Sequence, residues 1–100
     1  MQRLYTVFVD PGGSINVEIR KPTPAEISDA AAWPLWSCEI SAFEWGYDDI
    51  ETCLILEGEV MVEALGRQFK FAAGDWVVFP KGLACRWNVL KAVKKHYRFG

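Results

Sequence analysis

Apolar and polar residues alternate along most of this chain with the period of β-strands. Cys85, Trp87 and Val89 alternate with two polar residues, a pattern that is typical of a half-buried strand. The segment Trp76–Phe79 is apolar throughout, which favours a strand that is buried on both faces. Many short segments of this kind, separated by glycine-containing turns, predict an all-β sandwich or barrel.

The stretch 50–62 lies at the centre of this pattern. A strongly apolar strand begins at Glu51, so that a carboxylate stands at its edge. Glu57 and Gly58 then predict a tight turn, and a second strand follows to Val62. The stretch therefore predicts a hairpin with one carboxylate at its start.

Two further elements are predicted before this hairpin. Residues 1–20 indicate a strand hairpin, because two β-branched and apolar segments flank a Pro-Gly-Gly turn. Thr23 can cap a short helix with Pro24 in its first turn, and Glu26 is placed to complete a capping box. The helix is expected to end at Ala32, because a Trp-Pro pair follows it.

Composition bounds the class of protein. One hundred residues, of which 51% are hydrophobic and 14% aromatic, suffice for a single compact domain over residues 1–100. No apolar run approaches the length of a membrane span and no signal peptide is visible, so we expect no membrane partner. Three cysteines at unpatterned spacing match neither a disulfide framework nor a zinc ribbon, which favours a cytoplasmic protein with reduced thiols.

The net charge of −2 argues against a nucleic-acid partner, but the charges are unevenly distributed. No Lys or Arg occurs in residues 22–66, and no Asp or Glu occurs from Lys81 onward. We favour the interpretation that the two regions pair as neighbouring strands with complementary charges. The alternative is a basic patch that meets an anion. That patch would comprise Lys91, Lys94, Lys95 and Arg98.

Several motifs in this chain resemble those of cupins. Glu51, followed by Leu56-Glu57-Gly58, is similar to the end of the first cupin motif, and Gly74-Asp75, followed by Pro80-Lys81-Gly82, is similar to the second. Residues 21–99 resemble the small single-domain cupins that are grouped with the cupin domain of ureidoglycine aminohydrolase. The resemblance implies an all-β fold, the cupin double-stranded β-helix or jelly-roll barrel, with one short N-terminal helix. Residues 1–20 would be an addition to this core.

The resemblance also implies a site in the mouth of the barrel. Metal-binding cupins use two His and a Glu from the first motif and one His from the second. In this chain the His positions fall on Trp45, Tyr47 and Cys85, while the Glu is retained as Glu51. Because first-row metals need about three protein donors, we expect no metal cofactor. The alternative is a divalent transition metal held weakly by Glu51 and Cys85.

The candidate pocket follows from these positions and from strand parity. The residues expected to line it are Trp45, Tyr47, Glu51, Cys53, Cys85 and Trp87. Glu51 is a candidate general acid or base and Cys85 a candidate nucleophile, but each is also compatible with a purely structural role in the core. His96, in the last strand, is a candidate contact for an anion, or else part of a solvated outer face.

Three functions stay open at this point. The favoured one is a small-molecule-binding cupin of unassigned role, with a degenerate metal site and little catalysis. The second, implied by the resemblance, is a metal-dependent enzyme that acts on a small nitrogenous compound of the ureido type. The third is a structural or regulatory protein whose barrel is filled by side chains. Because residues 4–9 form an apolar strand suited to covering a sheet edge, we also expect a homodimer.

Overall fold

The computed structural model describes residues 17–100 in full and the backbone of residues 6–7. The elements in chain order are β1 (Thr6–Val7), β2 (Glu18–Arg20), α1 (Pro24–Ala30), β3 (Leu35–Cys38), β4 (Ser41–Gly46), β5 (Glu51–Ala64), β6 (Arg67–Ala72), β7 (Trp76–Phe79) and β8 (Ala84–Phe99). The predicted all-β class with one short helix is confirmed. Within these ranges, no helix has the length and apolarity that crossing a membrane requires.

Two long strands, β5 and β8, form the centre of the sheet. They run antiparallel and pair from Glu51 opposite Phe99 to Glu63 opposite Arg86. On their outer edges, β7 and β6 pair with successive halves of β5, and β3 and β4 pair with successive halves of β8. The sheet surrounds the main apolar core, as in the jelly-roll barrel of a cupin.

The predicted tight turn at Glu57 and Gly58 is wrong. β5 runs through both residues without reversing, and its register against β8 shifts three times between Ile55 and Val60. Such bulges bend a strand and increase its twist. Gly58 has a φ of 95°, and a Cβ atom added there would collide with the carbonyl oxygen of Ala92. The Glu-Gly pair therefore marks a bend in one strand.

The N-terminal hairpin and the helix lie beside β7 and β5. β1 pairs antiparallel with β2, with Thr6 opposite Ile19, and β2 pairs in turn with β7. The predicted turn between the two N-terminal strands lies outside the described residues. α1 begins at Pro24 behind the cap residue Thr23. The Thr23 hydroxyl accepts from the Glu26 N–H while the Glu26 carboxylate accepts from the Thr23 N–H, which is the predicted capping box.

Arg20 connects the helix to the sheet. Its guanidinium donates to both carboxylate oxygens of Glu26, at 2.7 and 2.6 Å, and it also pairs with Glu18. The hydrogen bonds from Arg20 lower the pKa of the Glu26 carboxyl to about 2. The buried end of α1 packs with Leu54 and Trp76, so the helix covers the face of β5 and β7 that points away from the main core.

Opposite charges meet across several strands, as the favoured interpretation of the charge pattern expects. Glu63 lies opposite Arg86 on β5 and β8, and Arg86 donates to Glu44 at 2.8 Å. Glu59 likewise lies opposite Lys91 on the same pair of strands. Exposed pairs of this kind contribute only about 0–1 kcal/mol each. They agree with the observed strand pairing but add little to the stability of the fold.

Candidate ligand-binding site

A cavity of about 230 Å³ opens between β3, β4 and the two long strands. Nine residues line it: Trp36, Phe43, Trp45, Tyr47, Glu51, Trp87, Lys95, Tyr97 and Phe99. Seven of the nine are aromatic. The remaining two, Glu51 and Lys95, carry opposite charges. The barrel therefore contains an aromatic space with one acid and one base in its wall.

Glu51 and Lys95 form a buried ion pair. The Lys95 ammonium donates to Oε2 of Glu51 at 2.8 Å, and the Lys95 and Glu51 side chains are only 7% and 4% exposed, respectively. Glu51 opens β5, and Lys95 lies on the neighbouring strand β8, on the same face as Tyr97 and Phe99. Removing each charge from water costs several kcal/mol, and the contact between the two charges offsets part of that cost.

Three aromatic rings surround the Lys95 ammonium. Its Nζ lies 4.6 Å from the ring centroid of Trp87, 4.8 Å from that of Trp36 and 5.9 Å from that of Tyr97. The negative face of an aromatic ring attracts a cation within about 6 Å. The rings and Glu51 together replace the hydration shell that Lys95 gives up, which stabilises its positive charge.

Two polar groups in the cavity wall have no hydrogen-bond partner among the described residues. They are the hydroxyl of Tyr47 and the indole N–H of Trp87, and both side chains are almost fully buried. Burial, reinforced by the nearby carboxylate of Glu51, raises the pKa of the Tyr47 hydroxyl. The same carboxylate acts on the hydroxyl as a weak hydrogen-bond acceptor, although the two groups are not in the geometry of a full hydrogen bond. An unpaired buried donor costs about 1–3 kcal/mol, but both atoms are themselves buried, so a bound molecule pairs with them only if part of the wall moves.

Ring stacking fixes the shape of the wall. Tyr47 stacks on Phe79 with ring centroids 4.9 Å apart, and Phe43 stacks on Trp87 at 6.0 Å. Trp36 meets Trp87 edge-on at 5.9 Å. Because such contacts are favourable beyond simple burial, they hold the rings in place without help from a ligand. The cavity is preformed.

The structure brings four of the six predicted pocket residues together. Trp45, Tyr47, Glu51 and Trp87 line the cavity, with Trp45 at its mouth and 48% exposed. Cys53 and Cys85 lie in the buried core behind the wall. A ligand contact at any of the six stays a prediction.

Burial disfavours the thiolate at both core cysteines. It raises the pKa of Cys53 to about 12 and that of Cys85 to about 11. The Cys53 thiol lies 3.5 Å from the carbonyl oxygen of Val77, to which it donates. A nucleophilic cysteine needs a thiolate near its working pH, so this environment does not favour Cys85 as a nucleophile.

We expect a soluble disulfide reagent to label Cys38 first in the folded protein, because Cys38 is half-buried and the other two thiols are buried. Cys53 and Cys85 should react near neutral pH only after denaturation. Any native reaction of Cys85 should keep accelerating with pH toward about 11, because only the thiolate attacks. Peptide mass spectrometry of quenched time points measures this order. Rapid labelling of native Cys85 that levels off near neutral pH would restore it as a catalytic candidate.

His96 lies on the face of β8 that points away from the cavity. Its Nδ1 donates to the carbonyl oxygen of Trp33 at 2.9 Å, since a carbonyl can only accept. The Arg98 guanidinium lies 4.9 Å from the ring centroid of Trp33. The alternative basic patch is divided, because Lys95 points into the cavity instead. The anion contact at His96 stays a prediction.

The residues present do not fit the metal site that the cupin resemblance implies. Within residues 17–100, no group of three or more His, Cys, Asp or Glu side chains is placed to hold an ion. The carboxylate of Glu51, the retained ligand position, already accepts from Lys95. An ammonium at that distance repels a metal cation. We therefore assign no chemical step to a metal.

Five lining residues lie outside the predicted pocket set. They are Trp36, Phe43, Lys95, Tyr97 and Phe99. Lys95 is the most consequential, because it supplies the positive charge of the site. Strand parity contains a signal for it, since Lys95 is two residues from Tyr97 and shares its face. Its place within a Lys-Lys-His run is instead typical of a solvated surface, which hides that signal.

Comparisons with known proteins agree with this architecture. The family model described as the EutQ-like cupin domain matches residues 25–97. A DUF861 family protein from Thermotoga maritima, known from a crystal structure, shares 48% sequence identity with this chain at a TM-score of 0.81. The match covers 84% of this chain and 99% of the other. No curated protein matches this chain.

Two more distant structures support the fold alone. A DUF1255 protein of unknown function from Acidithiobacillus ferrooxidans is 16% identical, with a TM-score of 0.64 and coverage of 97% of this chain and 91% of its own. A putative ethanolamine utilization protein Q from Salmonella typhimurium is 17% identical, with a TM-score of 0.58 and coverage of 99% and 96%.

Proposed function

This chain belongs to the family of EutQ-like cupin domains, and on that basis we propose that it is a small-molecule-binding cupin whose pocket works without a metal. The pocket is the aromatic cavity that contains Glu51 and Lys95. An ammonium held by a carboxylate and by aromatic rings would take the place that a metal cation has in other cupins.

The buried ion pair, beside two unpaired donors, carries this proposal. A protein that used the barrel interior only for packing would gain stability from apolar side chains of similar volume at Glu51 and Lys95. It would also have no reason to leave the hydroxyl of Tyr47 and the N–H of Trp87 unpaired. A preformed aromatic cavity with a few polar groups in its wall is typical of a ligand site.

The open cavity is evidence against the structural or regulatory alternative, in which side chains fill the barrel. The enzyme alternative stays a prediction. It includes kinship with ureidoglycine aminohydrolase and a metal-dependent reaction on a ureido compound. A stoichiometric transition metal in protein purified without added metal, lost on Glu51→Ala, would favour it. The expected homodimer and the cytoplasmic location also stay predictions.

A thermal-shift screen with ureides, sugars and amino acids tests the proposal. A ligand that binds only the folded state raises the free energy of unfolding, by about 2.7 kcal/mol at a hundred times its dissociation constant. The midpoint of thermal unfolding rises as a result. We expect at least one compound to stabilise the protein. Trp87→Phe, which removes the indole N–H in the cavity, should weaken that shift.

Trp76→Phe is the matched control, because Trp76 is also buried but packs against Trp33 on the helix side of the sheet. It should lower the starting midpoint without reducing the shift that a ligand produces. If no compound in the screen stabilises the protein, or if both variants lose the shift equally, the cavity is not a ligand site and the filled-barrel role is the better account.

A further inference from the structure

We infer that the ligand of this cavity is a neutral, flat, ring-sized molecule whose polar end carries an acceptor oxygen beside a donor hydrogen. This inference rests on the proposed function and specifies the chemistry of the ligand. It follows from three properties of the wall, namely its net charge, its unused hydrogen-bonding groups, and its size and shape.

The net charge of the wall is zero. Glu51 and Lys95 neutralise each other at 2.8 Å, and the other seven lining residues are aromatic. An anionic or cationic ligand would bring one uncompensated charge into this apolar space, which is expensive when no counter-charge is free. A neutral ligand avoids that cost.

The unused polar groups include both donors and an acceptor. In the described part of the chain, Lys95 donates one hydrogen bond of the three available to an ammonium, and only Oε2 of Glu51 receives it. The Tyr47 hydroxyl and the Trp87 N–H are unused donors. An acceptor oxygen on the ligand would pair with these donors. A donor hydrogen next to that oxygen would pair with the second carboxylate oxygen of Glu51.

The size and shape of the cavity point to one small ring. An apolar cavity of about 150 Å³ takes up benzene, so about 230 Å³ leaves room for a ring with one polar substituent. Seven of the nine lining residues have flat aromatic rings, which ring contacts hold in place. A planar ligand has the largest contact with such walls.

Four probes with the same ring and different polar ends test the inference: benzamide, benzoate, benzylammonium and toluene. Tryptophan fluorescence titration near neutral pH measures their binding, because Trp36, Trp45 and Trp87 line the cavity. We expect benzamide to bind at least about tenfold tighter than the other three, since it alone pairs the buried donors without adding charge. Tighter binding of benzoate, benzylammonium or toluene by the wild-type protein would overturn the neutral-ligand inference but not the binding function.

Charge variants make the test sharper. Glu51→Gln leaves a net positive wall and should shift the preference to benzoate, whereas Lys95→Met leaves a net negative wall and should shift it to benzylammonium. Lys94→Met is the matched control, because Lys94 is exposed on the same strand, and it should keep the wild-type order. Damage to folding would weaken all probes together and would not reverse their order.

Tyr47→Phe provides a separate test of the ligand chemistry if a charge variant fails to fold. It removes only an unpaired hydroxyl and should weaken benzamide binding several-fold while leaving toluene binding unchanged. Equal loss for both probes, or none for benzamide, would contradict the inference. If no probe binds the wild-type protein, not even toluene, the inference fails, and the thermal-shift screen decides separately whether the proposed binding function stands.

Discussion

Replacing Lys95 by methionine is expected to destabilise the protein by about 3–5 kcal/mol, the usual cost of breaking a buried ion pair from one side. Methionine fills much of the same volume, so the loss comes from charge and not from a cavity. The carboxylate of Glu51 would remain almost fully buried without the ammonium that donates to it at 2.8 Å. That is a large fraction of the 5–15 kcal/mol by which domains are typically stable.

Glu51→Gln, which removes the other charge of the pair, should lower the free energy of unfolding by less than Lys95→Met does. The Lys95 ammonium keeps its three ring contacts, at 4.6, 4.8 and 5.9 Å, and the amide oxygen of glutamine can still accept from it. The double variant Glu51→Gln/Lys95→Met contains neither charge. It should be more stable than Lys95→Met alone, because replacing both members of a buried pair is often neutral or favourable.

Urea denaturation of the two single variants, the double variant and the wild type gives a double-mutant cycle for the pair. Lys94→Met again serves as the control and should change the free energy of unfolding by less than about 0.5 kcal/mol. Equal destabilisation by Lys95→Met and Lys94→Met would mean that Lys95 is solvated, and the buried pair would then not exist in solution.

Replacing Gly58 by alanine is the second large change and should destabilise the protein by about 3 kcal/mol or more. Two costs add at this position. A non-glycine residue with a φ of 95° is strained by about 1–2 kcal/mol, and the added Cβ would collide with the backbone oxygen of Ala92 on β8. Overpacking against rigid backbone costs about 1–3 kcal/mol more.

Gly66→Ala measures the cost of backbone strain without the cost of a steric collision. Gly66 also has a positive φ, 69°, but a Cβ atom there meets nothing within 4 Å. Its replacement should therefore cost only the backbone term, about 1–2 kcal/mol. Thermal or urea unfolding of both variants gives the difference. If Gly58→Ala proves no worse than Gly66→Ala, the bulge relaxes around the new side chain and glycine is not required at that bend.

Much of the fold could be predicted from the sequence, because local chemistry and tertiary packing agree. The cap at Thr23 and the proline behind it start the helix as predicted. The apolar run in β7 is buried as predicted, apart from the half-buried Val78. The error at Gly58 has a clear cause. Glycine with positive φ is compatible with a turn and with a bulge, and only the long partner strand β8 decides between them.

Less of the candidate site could be predicted. Trp45, Tyr47 and Glu51 could be placed because they occupy recognisable positions of the first cupin motif. Lys95 could not, because a buried lysine is rare unless it is paired, and its partner is 44 residues away in the sequence. Periodicity indicates which face a residue occupies, but not which distant charge it meets there.

The pairing of β5 with β8 also has a consequence for how the chain folds. Glu51 lies opposite Phe99, so the central ladder joins residues that are far apart in the sequence. The entropy of closing such loops is lost before the contacts that compensate for it can form. We therefore expect slow, all-or-none folding. Because both charged residues of the cavity come from these two strands, no early local structure can contain the site, and the binding pocket should be among the last features to appear.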